Sequence, residues 1–146
     1  MMDYSKSAEE LLEYLIITER LNGLIQGNVA EIAKGELAVL TYLIEEKNGA
    51  SAIDISHKFR INTSRVAAIL KALMRKELIE RKADPRDKRK IQVYFTEKGY
   101  DYVQYKRKDI LKHITKMLEI LGEEDAKEHI RLVKRIVDIS SNIECK

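Results

Sequence analysis

The hydrophobic period of this chain switches twice in its middle third, and that switch narrows the choice of fold more than any other feature. Across Ser51–Lys76 the apolar residues recur at helical steps, across Leu78–Thr96 they alternate as in strands, and from Thr96 the helical step returns. Ser51-Ala52-Ile53-Asp54 offers a capping box for a short helix through Phe59. Arg60-Ile61 then makes a tight turn, and Asn62 caps a helix from Thr63 to Lys76. Val66, Ile69, Leu70 and Leu73 of that helix point inward, leaving Ser64, Arg65, Ala68, Lys71 and Arg75 towards solvent. Two short helices about a tight turn, the second amphipathic and basic, have the spacing of a helix-turn-helix, which a purely structural helical hairpin shares. The residues beyond Lys76 separate the two. Leu78–Ala83 and Ile91–Thr96 read as two strands around Asp84-Pro85-Arg86-Asp87-Lys88-Arg89-Lys90, a turn former with a basic tip. A hairpin with a charged loop directly after a helix-turn-helix describes a winged helix.

The flanks are helical, as one proline and six glycines in 146 residues suggest. Ser7-Ala8-Glu9-Glu10 fits a capping box for a first helix to about Gln26, carrying Leu11, Tyr14, Leu15, Ile17, Leu21, Leu24 and Ile25. A second helix begins near Gly35-Glu36, turns Leu37, Leu40, Leu43 and Ile44 inward and stops at Asn48-Gly49, a C-cap pair. After Thr96, a further cap, Tyr100, Val103, Ile110, Ile114, Met117 and Leu121 form one long stripe. Gly122 breaks it, and Glu123-Glu124-Asp125 opens the last helix with the negative charge its dipole favours. That helix has two apolar stripes, Ala126, Ile130, Val133 and Val137, and Leu132, Ile136, Ile139 and Ile143. Burial against a second copy of the chain accounts for the second stripe most simply; a wide intramolecular contact is the alternative. The fold class is therefore mainly α with a small β-hairpin wing. Residues 35–97 make a winged helix-turn-helix lobe, and 5–34 and 98–146 make dimerisation helices, in a single domain.

Charge is concentrated where the winged helix lies. Between His57 and Lys90 there are twelve basic residues and four acidic ones, a local charge of +8 on a chain whose net charge is +3. A basic middle within an acidic remainder is the footprint of a nucleic-acid-binding face, with a merely solvated charged surface as the bland alternative. Other classes fall away. The longest apolar run, Val66-Ala67-Ala68-Ile69-Leu70, is far short of the ~20 residues of a bilayer span. Met1-Met2-Asp3-Tyr4-Ser5-Lys6 lacks the order of a signal peptide, and one cysteine, Cys145, fits a reducing cytosol. No glycine-rich phosphate loop is present, and His57, His113 and His129 lack the close His/Cys pairing of a metal site. Neither enzyme activity, cofactor nor metal is expected.

With these features in place the chain resembles the MarR family of bacterial and archaeal winged-helix transcription regulators. Asp84-Pro85-Arg86-Asp87-Lys88-Arg89-Lys90 is similar to the family's wing signature Asp-Pro-x-Asp-x-Arg, and Thr96-Glu97-Lys98-Gly99 to the Thr-x-x-Gly that opens its next helix. The resemblance implies a cytoplasmic homodimer acting on double-stranded DNA as a sequence-specific regulator, a repressor, released by a small lipophilic or phenolic effector. The helix Thr63–Lys76 would enter the major groove, with Thr63, Ser64, Arg65 and Lys71 towards the bases. The wing residues Arg86, Asp87, Lys88, Arg89 and Lys90 would lie along the minor groove, with Arg89 inserted and Asp87 orienting it, although Asp87 also reads as an ordinary turn residue. Guanidinium groups suit phosphates and narrow minor grooves on physical grounds alone. The chain departs from the family pattern at Arg60 and Glu77, where glycine is common, and at Ala67 and Ala68, where polar or basic side chains are usual. Tyr14, Ile17, Tyr42 and Leu43 fit either an effector cleft or the core. Cys145 reads as an inert thiol, with a pairing across a dimer axis as the alternative. A winged helix that meets an acidic protein partner is the competing function.

Overall fold

The computed structural model describes residues 2–22 and 35–144, which fold into six helices and one two-stranded antiparallel sheet. In chain order these are α1 (Tyr4–Asn22), α2 (Glu36–Glu45), α3 (Ala52–Phe59), α4 (Thr63–Arg75), β1 (Ile79–Ala83), β2 (Ile91–Phe95), α5 (Glu97–Leu121) and α6 (Glu123–Glu144). The chain divides into two compact units, Lys34–Tyr105 and Met1–Ala33 with Lys106–Lys146. The expected class, mainly α with a hairpin wing, is the one observed. No helix of the described residues is long and apolar enough to cross a membrane.

In the unit of residues 34–105, capping fixes the helix starts. Ser51 Oγ accepts from the Asp54 N–H at 3.1 Å while the Asp54 carboxylate accepts from the Ser51 N–H at 3.0 Å, the reciprocal pair expected of this sequence. The Ser51 N–H and the Lys47 ammonium, 2.9 Å away, hold the Asp54 carboxyl below the usual carboxylate range. Asn62 Oδ1 accepts from the Arg65 N–H at 2.8 Å and starts α4. Leu37, Leu40, Leu43, Ile55, Phe59, Val66, Ile69, Leu70, Leu73, Leu78 and Val93 are buried, so the inward stripe of α4 lies where its period placed it. Ile44 is only half-buried, while Ala38 and Val39 are buried as well.

Asn48-Gly49 does not end α2, which stops at Glu45; its position is instead set by the sheet. Gly49, at φ +99°, donates to the Val93 carbonyl at 3.0 Å, and Val93 donates to Ala50 at 2.9 Å. Asn48 Oδ1 takes the Phe95 N–H at 3.0 Å. These long-range bonds pin β2 to residues 48–50 and anchor the base of the hairpin, whose register pairs Ile79 with Phe95 and Ala83 with Ile91.

Two residues, one just after each helix of the helix-turn-helix, sit in the left-handed region that favours glycine, Arg60 at φ 53° and Glu77 at φ 62°. Both are the positions at which the sequence departs from the glycine of the family it resembles, so the turn geometry is kept with a less suitable residue. Glu77→Gly should therefore raise stability by about 0.5–1 kcal/mol, the left-handed penalty less the added freedom of the unfolded chain. A thermal melt checks it; a lower midpoint would show that the Glu77–Lys98 ion pair, 3.6 Å and exposed, outweighs the backbone.

The other unit centres on Ala8, Leu11, Leu118, Ala126 and Val133, with Tyr14, Leu15, Leu111, Ile114 and Ile130 packed against them. α1 begins four residues earlier than Ser7 would set it. Asp3 is the cap, its carboxylate accepting from the Lys6 N–H at 3.2 Å, and Ser7 lies inside the helix. Leu12 and Ile16 are buried and Ile17 is exposed. The reading of α1 to Gln26, with Leu24 and Ile25, lies outside the described residues, as do the side chains of Leu21 and Ile143 and all of Cys145. On α5, Val103 and Ile110 are buried, but Leu118 takes the place expected for Met117 and Leu121, which are exposed together with Tyr100. The 3.6-residue turn drifts against any fixed seven-residue pattern, and over 25 residues the buried face moves on by one position. α6 separates its two stripes: Ala126, Val133 and Val137 are buried, whereas Leu132, Ile136 and Ile139 are 44–48% exposed.

Candidate nucleic-acid interface

The sequence-predicted site residues fall on two elements of the unit formed by residues 34–105. Thr63, Ser64 and Arg65 form the first turn of α4, and Lys71 follows two turns later; all four are exposed. Ser64, Ala68, Lys71 and Arg75 recur at steps of four, three and four residues and share one exposed face. Arg75 is not among the sequence-predicted site residues, although its spacing from Lys71 places it with them. Ala67 and Ala68 lie between Ser64 and Lys71 on the same side.

Arg86, Asp87, Lys88, Arg89 and Lys90 occupy the hairpin loop, every one exposed. The loop is wound by its own aspartates. Asp84 Oδ1 accepts from the Arg86 N–H at 2.9 Å, bridging Pro85, and Asp87 Oδ1 accepts from the Arg89 N–H at 3.0 Å. Lys90 donates to the Asp87 carbonyl at 3.0 Å, and Asp84 donates to the Lys90 carbonyl at 2.8 Å, closing the loop onto the strands. The Asp87 carboxylate thus engages the main chain of Arg89 and not its guanidinium.

The electrostatics separate two groups of cations. Lys47, Lys58 and Lys76 pair with Asp54, Glu46 and Glu36 at 2.8–2.9 Å, and Lys82 pairs with Glu80 at 3.2 Å while lying over the Tyr94 ring. Arg65, Lys71, Arg75, Arg86, Lys88, Arg89 and Lys90 pair with no carboxylate among the described residues. Seven cations on one helix and one loop therefore keep their charge for an external anion, where an ordinary mixed surface would intersperse the signs.

Of the residues considered for a ligand cleft, Leu43 is core, Tyr14 packs in the core of the other unit, and Tyr42 lies edge-on to Phe59 at 5.8 Å. No group of three or more His, Cys, Asp or Glu among the described residues could hold a metal ion. His113 Nδ1 lies 2.8 Å from the Asp109 carbonyl on an exposed face.

The model of the MarR family matches residues 32–91, which span the helix-turn-helix and most of the hairpin. Among solved structures, YusO from Bacillus subtilis is 20% identical with a TM-score of 0.63, covering 91% of this chain and 85% of that one. MepR, a transcription regulator of the Staphylococcus aureus multidrug efflux pump MepA, is 18% identical with a TM-score of 0.60, covering 89% of each chain. The PcaV transcriptional regulator from Streptomyces coelicolor, solved in complex with its natural ligand, is 22% identical with a TM-score of 0.50, covering 70% of this chain and 72% of that one. At these identities the likeness is one of fold. Comparison with curated proteins finds no match.

Proposed function

We propose that this chain, which through residues 32–91 belongs to the MarR family, is a homodimeric repressor of transcription that binds double-stranded DNA sequence-specifically. The observation that carries the reading is the set of uncompensated cations, Arg65, Lys71 and Arg75 on α4 and Arg86, Lys88, Arg89 and Lys90 on the wing. α4 enters the major groove, where Thr63, Ser64, Arg65 and Lys71 face bases or phosphates. The wing follows the minor groove, with Arg89 inserted where the groove is narrow and its potential most negative. Asp87 serves this insertion by holding the Arg89 backbone. Residues 35–97 form the DNA-binding lobe, and the segments 5–34 and 98–146 hold two lobes at the ~34 Å separation of successive major grooves.

Control of that separation is the mechanism of regulation. A small lipophilic or phenolic effector that binds better to a dimer with mismatched spacing weakens DNA affinity by its differential binding energy. The likeness in fold to PcaV, solved in complex with its natural ligand, supports control by a bound ligand.

Fluorescence anisotropy with the duplex upstream of the chain's own gene, beside a scrambled duplex at several salt concentrations, tests the reading. Preferential binding at one dimer per site is expected, and no binding to either at low salt would favour an acidic protein partner instead. Arg89→Ala should weaken binding about tenfold and reduce the salt slope by ~1 per lobe, with an unchanged thermal midpoint. Parent-like binding by this variant would remove the wing from the interface.

A further inference from the structure

We propose that α4 discriminates A·T pairs through the 5-methyl group of thymine, contacted by Ala67 and Ala68, and not through bidentate hydrogen bonds to adenine; this rests on α4 being the helix in the major groove. The inference comes from the complete chemistry of the exposed side of α4. Thr63, Ser64, Arg65, Ala67, Ala68, Lys71, Met74 and Arg75 are its exposed members, and they supply hydroxyls, cations, methyl groups and one thioether. Bidentate reading of adenine takes an amide side chain, and reading the cytosine amino group takes a carboxylate. Neither type is exposed on α4. The adjoining amide, Asn62, is the N-cap of α4, with its Oδ1 turned to the Arg65 N–H at 2.8 Å, so a bidentate contact to adenine would have to share the oxygen that caps the helix.

The cations are free to act, since Arg65, Lys71 and Arg75 pair with no carboxylate among the described residues. They can reach guanine or phosphate, which leaves A·T pairs to the Thr63 and Ser64 hydroxyls, whose single hydrogen bonds suit more than one base, and to the methyl groups. Ala67 and Ala68 occupy the middle of the face, each three or four residues from both Ser64 and Lys71. With nothing longer than a methyl there, the backbone of α4 can approach the groove floor until alanine Cβ meets the thymine methyl. The long side chains at the edges then straddle that contact. Thymine is the one base that presents an apolar group in the major groove, so specificity follows from shape and desolvation.

The test starts from duplexes selected by the full chain out of a random-sequence pool. Thymines of each half-site are then replaced by deoxyuridine, which removes the methyl and keeps every hydrogen-bonding group. Affinity should fall about tenfold for one methyl in each half-site. A C·G pair at the same step should bind weakly, and 5-methylcytosine there should recover most of the loss. In Ala67→Gly/Ala68→Gly, with folding verified by circular dichroism, the thymine-to-deoxyuridine ratio should shrink to less than about twofold. Unchanged affinity for the deoxyuridine duplex, or selected half-sites without thymine, overturns methyl readout and leaves DNA binding standing. If no duplex is enriched from the pool, the function reading falls and this inference with it.

Discussion

Leu132→Glu/Ile136→Glu should sediment as a monomer and bind the operator duplex at least about a hundredfold more weakly than the parent. Leu132, Ile136 and Ile139 line one side of α6 at 44–48% exposure, about a third of a turn away from Ala126, Val133 and Val137, which are buried. Met117, Ile120 and Leu121 of α5 are exposed in the same unit, Ile120 to 78%. Each large aliphatic side chain contributes roughly 1.5–3 kcal/mol on complete burial, so a half-exposed row has several kcal/mol still to gain from a partner surface. Two carboxylates placed there would have to be desolvated unpaired, which costs more than the apolar gain they replace. Loss of the dimer removes the second half-site, whose contribution as an effectively intramolecular contact is about 10²–10⁴ in affinity. Each monomer should retain its own fold, because the substituted side chains lie outside the buried stripe. Analytical ultracentrifugation and anisotropy on the same sample decide it, and a dimer of parent affinity would place the interface elsewhere.

Gly99→Ala should lower stability by about 2–3 kcal/mol and the thermal midpoint by roughly 5–12 °C. A Cβ at Gly99 would stand 2.2 Å from the Leu78 carbonyl oxygen and 3.1 Å from its carbon, and both belong to backbone that has no rotamer to change. That same oxygen accepts the Thr96 N–H at 3.1 Å, while Thr96 Oγ donates to the Glu77 carbonyl at 2.8 Å and accepts the Gly99 N–H at 3.0 Å. The start of α5 is thus bolted across the entry to β1, and opening the gap for a methyl would stretch the bolt. Alanine's helix preference over glycine returns only about 1 kcal/mol. The Thr-x-x-Gly pattern follows from these contacts: threonine for the cross-link, glycine for the approach. A midpoint within about 2 °C of the parent would show that the Leu78 peptide can yield.

What could be read from the sequence was what short-range chemistry decides. The capping box at Ser51, the cap at Asn62, the inward stripe of α4 and the hairpin around Asp84-Pro85 all depend on residues within a few positions of one another. The start of α1 escaped because two local caps competed, and Asp3 won over a box at Ser7 that is equally well formed in sequence. The pairing of residues 48–50 with β2 spans more than forty positions and leaves no periodic trace. On α5 the phase of the buried face is set by what packs on it, so Leu118 could not be told from Met117 by spacing. For the candidate interface the sequence located the charged residues, whereas the division into paired lysines and uncompensated cations required the folded arrangement of Glu36, Glu46 and Asp54.

The wing has a consequence in entropy and in charge. Because Asp84 and Asp87 tie down the Arg86 and Arg89 amides within the loop itself, its backbone is wound before any groove is met. Ordering a free residue costs roughly 1–2 kcal/mol, so a loop ordered in advance spares docking a penalty that would erode most of what its cations gain from phosphate. If the wing meets DNA as proposed, the same device would carry two carboxylates towards a polyanion, and they would subtract from that attraction. On the proposed reading, wing affinity is a compromise in which some coulombic pull is surrendered so that the arginine would meet the groove already aimed.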